Sequence, residues 1–153
     1  MVAQLKTETK NLYDTDYNLW VLETVKKLET KNFTHLDLDN LIEEVLDLSR
    51  RDKRKLESLL IRLCEHLLKL SYWELEREKN QGHWQGEIRN FRLQIKRLLK
   101  DSPSLKSYLQ DIFEESYQNG AKIASDRSKL PLNTFPKTPL ADLAQILDEN
   151  WLP

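Results

Sequence analysis

Residues 56–70 read LESLLIRLCEHLLKL, and this stretch decides the fold. At about 100° per residue, Leu56, Leu59, Leu60, Leu63, Leu67 and Leu70 fall on one helical face. Ile61, Cys64, Leu68 and then Leu75 widen that face on one side, and Trp73 widens it on the other. Only Ser58, Arg62, Glu65 and Lys69 are left as a polar strip. A helix packed on one side needs a single stripe. An apolar surface this wide predicts a helix contacted from several sides, the hub of a bundle, over about residues 51–79.

Downstream of the hub, Asn80 to Gly82 reads as a helix stop, with glycine as the terminator. A further helix over about 83–100 places Trp84, Ile88, Phe91, Ile95, Leu98 and Leu99 on one face. Ser102-Pro103 then has the form of an N-cap followed by proline in the first turn. The helix it opens carries Leu105, Tyr108, Leu109, Ile112, Phe113, Ser116, Tyr117, Ala121 and Ala124 inward. Gly120 within it permits close helix contact or marks a bend. Residues 129–139 form a Pro-rich extended connector, and Thr138-Pro139 repeats the cap-plus-proline start for a short last helix with Leu140, Leu143, Ile146 and Leu147. The terminal Trp151-Leu152-Pro153 packs back on the domain or serves as a docking tail, packing being the commoner arrangement.

Upstream, Ser49 to Lys55 (SRRDKRK) is polar throughout. Ser49 with Asp52 could form a capping box, although Arg50, Arg51 and Lys53 would then place positive charge at a helix start. A break is the reading taken; one long bent helix over 38–79 is the alternative, because the apolar phase continues across the gap. Asp37 opens the preceding helix, with Leu38, Leu41, Ile42, Val45 and Leu46 inward. The first helix runs over about 16–31, with Tyr17, Trp20, Val21, Thr24, Val25 and Leu28 as its core face. Residues 1–12 are a polar arm. The whole reads as one all-α domain over 1–153, a bundle of about five main helices.

Composition narrows the function classes. Charged residues make up 32% and hydrophobic residues 39% of the 153, and the periodicity of the latter argues against disorder. Four of the five prolines follow residue 130, so long helices can run uninterrupted before it. The formal charge of −1 provides no global attraction to nucleic acid or an anionic membrane. Cys64 is the only cysteine and cannot form an internal disulfide. The first eleven residues lack an apolar signal core, and no run of about 18 apolar residues could span a bilayer. The expectation is a cytoplasmic protein without a membrane partner.

Chemistry-bearing patterns are sparse. His35, His66 and His83 are scattered, without the spacing of a zinc site or a di-iron bundle. Glu43 and Glu44 point about 100° apart on a helix and cannot share a ligand, so neither metal nor cofactor is expected. His66 lies at the margin between the leucine face and the polar strip, where a titratable ring could act as a base; the commoner role is structural, with the ring bonded to a carbonyl. His66, Glu44 and Lys69 are the catalytic candidates. Arg77 and His83, with five residues between them, resemble the Arg–His spacing of the helical ribonuclease and toxin group known as higher-eukaryote-and-prokaryote nucleotide-binding domains. Arg89, Arg92, Lys96, Arg97 and Lys100 are the nucleic-acid candidates, beside or opposite an apolar stripe, and residues 50–55 add five more cations. No phosphate-binding loop or nucleophile elbow is present.

Read in order, several pieces resemble one bacterial family. They are Tyr13-Asp14 and Asp16-Tyr17 with Trp20, Asp37 with Asn40-Leu41-Ile42-Glu43-Glu44, and His66-Leu67-Leu68-Lys69. Trp84, Ile88 and Arg92, then Ser102-Pro103-Ser104-Leu105, Leu130-Pro131, Phe135-Pro136 and the Ile146-Leu147 to Pro153 ending complete the set. The resemblance is to the helical group catalogued as domain of unknown function twenty-nine. It implies an all-helical fold and no assigned activity. Two functions stay open: a non-catalytic protein-interaction module, with a protein partner or self-association, or a nucleic-acid-directed protein such as a helical ribonuclease or toxin.

Overall fold

The computed structural model describes residues 12–153, which are helical throughout their regular structure, with no strand. The polar arm expected over residues 1–12 lies, apart from Leu12, outside the described residues. Five helices carry the fold: α1 (Tyr17–Glu29), α2 (Leu38–Tyr72), α3 (Glu74–Asp101), α4 (Leu105–Ser128) and the short α5 (Leu143–Ile146). Single 3-10 turns at Phe33–His35 and Leu132–Thr134 lie in the connections before α2 and before α5.

Helix α1 begins where its caps place it. The Asp16 carboxylate accepts the Leu19 N–H at 2.9 Å, and Lys26 and Lys27 occupy the last turn, where the helix dipole favours cations. Thr30 donates its hydroxyl to the Lys26 carbonyl, and Lys31 takes a left-handed φ of 57° to leave the helix. Asp37 starts α2 by accepting the Leu41 N–H on its carbonyl at 3.0 Å.

The break expected at Ser49–Lys55 does not occur, and α2 continues for 35 residues. Two physical features carry it through. No glycine or proline interrupts the stretch, and Leu38, Ile42 and Val45 are in phase with Leu56, Leu60 and Leu63. Arg50 also reaches back to Asp47 (2.9 Å) and Glu43 (3.1 Å), so its charge is compensated in mid-helix rather than placed at a helix start.

The chain turns instead at Trp73, not at Asn80–Gly82. Arg77 closes the end of α2 by donating from Nε to the Leu70 carbonyl (2.7 Å) and from Nη2 to the Ser71 carbonyl (2.6 Å). Glu74 and Glu76 supply the negative charge that suits the first turn of α3. Gly82 and Gly86 therefore lie inside α3, and a Cβ added at either would meet nothing within 4 Å. Each costs α3 about 1 kcal/mol of helix propensity, too little to end a helix held by packing at Trp84 and Ile88.

Both expected cap-plus-proline starts are displaced. Ser102 is the C-terminal cap of α3, its N–H bonded to the Leu98 carbonyl, and α4 starts after Ser104. Asp142, not Thr138, caps α5, its carboxylate accepting the Gln145 N–H at 2.8 Å. In both places the proline precedes the helix by two or more residues.

The chain divides into two compact units, Met1–Arg51 and Asp52–Pro153. The first is an αα-hairpin in which Tyr13 and Tyr17, before and at the start of α1, meet Glu44 of α2. In the second unit α2, α3 and α4 run up, down and up. His66 contacts Phe91 while Lys69 lies over Trp84, which makes α2 and α3 antiparallel. Lys53 lies over Tyr108 while Cys64 meets Gly120, which makes α2 and α4 parallel. The hub expectation holds here: Leu56, Leu60, Leu63 and Leu68 of α2 are fully buried. The segment after α4 wraps back, with Phe135 and Ile146 buried and Trp151 packed against the core. The Tyr117 hydroxyl donates to the Pro136 carbonyl at 2.8 Å and fixes the wrap in place.

Candidate functional site

The polar strip expected on the hub helix is solvated at Ser58 and Arg62 but enclosed at Glu65 and Lys69. Glu65, His66 and Lys69 are only 2–7% exposed. His66 and Lys69 are covered by Phe91 and Trp84 of α3, whereas for Glu65 the cause is Gly120. A Cβ there would stand 2.9 Å from both the Glu65 N and the Ile61 O, so only glycine allows α4 to lie this close to the α2 backbone. With α4 seated, the Glu65 carboxylate is enclosed. Arg127, two turns beyond Gly120, brings Nη1 to 3.0 Å from Glu65 Oε1, an ion contact without hydrogen-bond geometry. Lys69 Nζ stands 3.6 Å from the same oxygen and lies over the Trp84 ring, 5.4 Å from its centroid. Trp73 stacks on Trp84 at 5.6 Å and closes that end.

His66 donates Nδ1–H to the Arg62 carbonyl at 2.8 Å, which fixes the tautomer and leaves Nε2 as an acceptor. Its ring meets the edge of Phe91 at 5.1 Å. Burial, reinforced by the Lys69 charge, pulls its pKa down to about 4, so the ring is neutral at physiological pH. Burial likewise lowers the Lys69 ammonium below the usual lysine range, with Glu65 opposing the shift. The cluster thus contains one carboxylate, one ammonium and a neutral imidazole within a helical core, with a guanidinium reaching in from the surface. Such groups can hold charge in fixed positions. To turn over a substrate they would need an opening of α3 or α4.

Of the three catalytic candidates, the structure brings His66 and Lys69 together and leaves Glu44 apart. Glu44 lies about six turns earlier on α2 and belongs to the first unit. Its carboxylate accepts the Tyr13 and Tyr17 hydroxyls, both at 2.6 Å, and these bonds hold its pKa below the usual carboxylate range. The Tyr13 hydroxyl is correspondingly pushed up to about 12. Trp20 is buried beside both phenols. Among the described residues no group of His, Cys, Asp and Glu could hold a metal ion. Burial raises the Cys64 thiol to about 12 and keeps it inert.

The five cations of α3 separate in the same way. Arg89, Lys96, Arg97 and Lys100 are on the surface, and Lys96 pairs with Glu149 at 3.1 Å. Arg92 is turned into the fold, 1% exposed, with Nε donating to the Ile146 carbonyl at 2.8 Å. It anchors the C-terminal wrap. Arg77 is committed to the α2 carbonyls and His83 is exposed, so the Arg–His spacing joins a helix cap to a surface ring.

The largest feature that sequence reasoning missed is apolar. Eleven of the fifteen large hydrophobic side chains that lie exposed among the described residues fall between Tyr17 and Leu48, each 40–60% exposed. Trp20 and Thr24 of α1 are buried, but Tyr17, Val25 and Leu28 of its expected core face are open. On α2, Leu38, Ile42, Val45 and Leu46, expected inward, are open as well. The continuing phase of the α2 stripe was the available signal: the same row that is core from Leu56 onward is bare before Ser49. Among the described residues no helix is long and apolar enough to cross a membrane.

A family model described as Domain of unknown function DUF29 matches residues 12–152. No curated protein and no solved structure matches the chain.

Proposed function

The chain belongs to the DUF29 family of unassigned activity, and from that premise we propose that it is a non-catalytic protein-interaction module that docks through its N-terminal hairpin. The observation that carries this reading is the bare apolar face of α1 and the first part of α2, formed by Val25, Leu28, Leu38, Ile42 and Val45 among others. Folded monomers seldom leave a contiguous apolar patch above about 600 Å2 open to water, and larger patches mark association sites. The tail no longer supports docking, since Trp151 packs against the core. The Glu65–Lys69 cluster reads as internal scaffolding that holds α4 on α2.

A nucleic-acid function has less support, with Arg92 buried and Lys96 paired. Paired substitutions separate the two readings. Leu46→Glu with Ile42→Glu on the hairpin should abolish protein association in cross-linking and affinity capture, with helicity retained. Arg89→Glu with Arg97→Glu should leave it intact. Binding to RNA that falls steeply with salt and is lost only in the second pair would sink the proposal.

A further inference from the structure

Resting on that reading of the hairpin as a docking surface, the geometry points to its occupant: a second copy of this chain, α2 against α2 in antiparallel about a two-fold axis near Val45 and Leu46. Three observations converge on this partner.

The first is the stripe itself. Leu38, Ile42 and Val45 recur at the spacing of a helix–helix seam and are in phase with Leu56, Leu60 and Leu63, which are fully buried in the core of the second unit. The same row of one helix is covered from Leu56 and uncovered before Ser49. A row built to pack against helices needs a helix there too.

The second is charge. From Asp37 to Asp47, α2 and its cap carry five acids, Asp37, Asp39, Glu43, Glu44 and Asp47, and no base. From Arg50 to Lys55 it carries five bases and one acid. Parallel pairing of two such helices would set acid against acid and base against base. Antiparallel pairing sets Asp39 and Glu43 alongside the basic run of the other copy, which favours this orientation and fixes the register. The contacts of Arg50 with Glu43 and Asp47 run along the flank of the stripe, with both partners partly exposed, so the same attraction can repeat across the seam. A two-fold axis makes the surface its own complement, with no second sequence required.

The third is area. A standard interface buries roughly 800 Å2 on each partner. Five large apolar side chains open on α2, Leu38, Ile42, Val45, Leu46 and Leu48, each 46–58% exposed, supply part of that area. Six more are open on α1 and the turn after it. The other exposed leucines, Leu75, Leu93, Leu132 and Leu152, stand singly along the sequence.

Sedimentation or light scattering across about 1–100 µM chain tests the assembly. The expected result is a dimer whose dissociation constant rises at least tenfold in Val45→Glu and in Ile42→Glu, with helicity and melting temperature of the second unit unchanged. Charge reversal tests the orientation: Asp39→Lys with Glu43→Lys should weaken the homodimer, and mixing with Arg50→Glu plus Lys53→Glu chains should restore association. A dimer indifferent to all of these substitutions overturns the proposal. A monomer that captures a different protein through Ile42 and Val45 also overturns it, while the docking reading survives. A monomer whose hairpin substitutions change no association at all removes both.

Discussion

His66 is faced by its own helix through the Arg62 carbonyl, Glu65 and Lys69, by α3 through Phe91 and Glu87, and by α4 through Arg127. Burial dominates these influences and keeps the ring neutral, with a pKa of about 4 against an ordinary 6.5. The unfolded chain takes up a proton below pH 6.5 that the folded chain refuses until about pH 4. Stability is therefore complete above pH 6.5 and declines as pH falls through that window, by about 1.4 kcal/mol per unit and roughly 3 kcal/mol in all. Urea denaturation between pH 7 and 4 should show this slope in the wild type and lose it in His66→Gln. An equal slope in both proteins would refute the neutral-imidazole assignment. The margin position of His66 was legible in the leucine pattern. The burial of Glu65 and Lys69 beside it was not, because it depends on which helix crosses there and how closely. Gly120 was the one local sign of that crossing, and sequence left its purpose open between contact and bend.

At the scale of an element, Ser49 distinguishes a helix start from a helix interior. As an N-cap it would lose about 1 kcal/mol on replacement by alanine. Inside α2, where it lies, the same change raises helix propensity and stabilises by a few tenths of a kcal/mol. Ser49→Ala should thus be neutral to stabilising and Ser49→Pro should cost about 3 kcal/mol, read from chemical denaturation. A destabilising Ser49→Ala paired with a harmless Ser49→Pro would mean that the helix is broken there after all. The error in placing the break has a general cause. Capping preferences amount to about 1 kcal/mol each, and the one at Ser49 was outweighed by a helical stretch without glycine or proline and by the pairs of Arg50 with Glu43 and Asp47. The turn at Trp73 had no glycine or proline to announce it. It is made by Arg77 reaching the last α2 carbonyls and by the Trp73–Trp84 stack, contacts that exist only once α3 has folded back.

Across the whole molecule the two units differ in how much core they own. Trp20 is the one large apolar side chain fully buried in the described part of the first unit; the remaining buried apolar residues, from Leu56 to Ile146, belong to the second. Native-state hydrogen exchange should therefore find α1 opening at a lower free energy than Leu59–Leu70 of α2. The gap should narrow as protein concentration rises, since a second copy covering the hairpin stabilises it by mass action. Protection that is uniform along the chain and independent of concentration would contradict this picture.

The sequence by itself determined the all-helical class, the apolar hub from Leu56 to Leu70 and the inward face of α4. Those follow from the period of the apolar residues, a local property of the chain. Only the tertiary structure decided which polar groups are enclosed, which apolar rows stay bare, and where α2 ends. Enclosure of Glu65 and Arg92, and exposure of Ile42 and Val45, depend on what lies across from each residue. A helical pattern says that a row seeks a partner; it does not say whether the same chain supplies one.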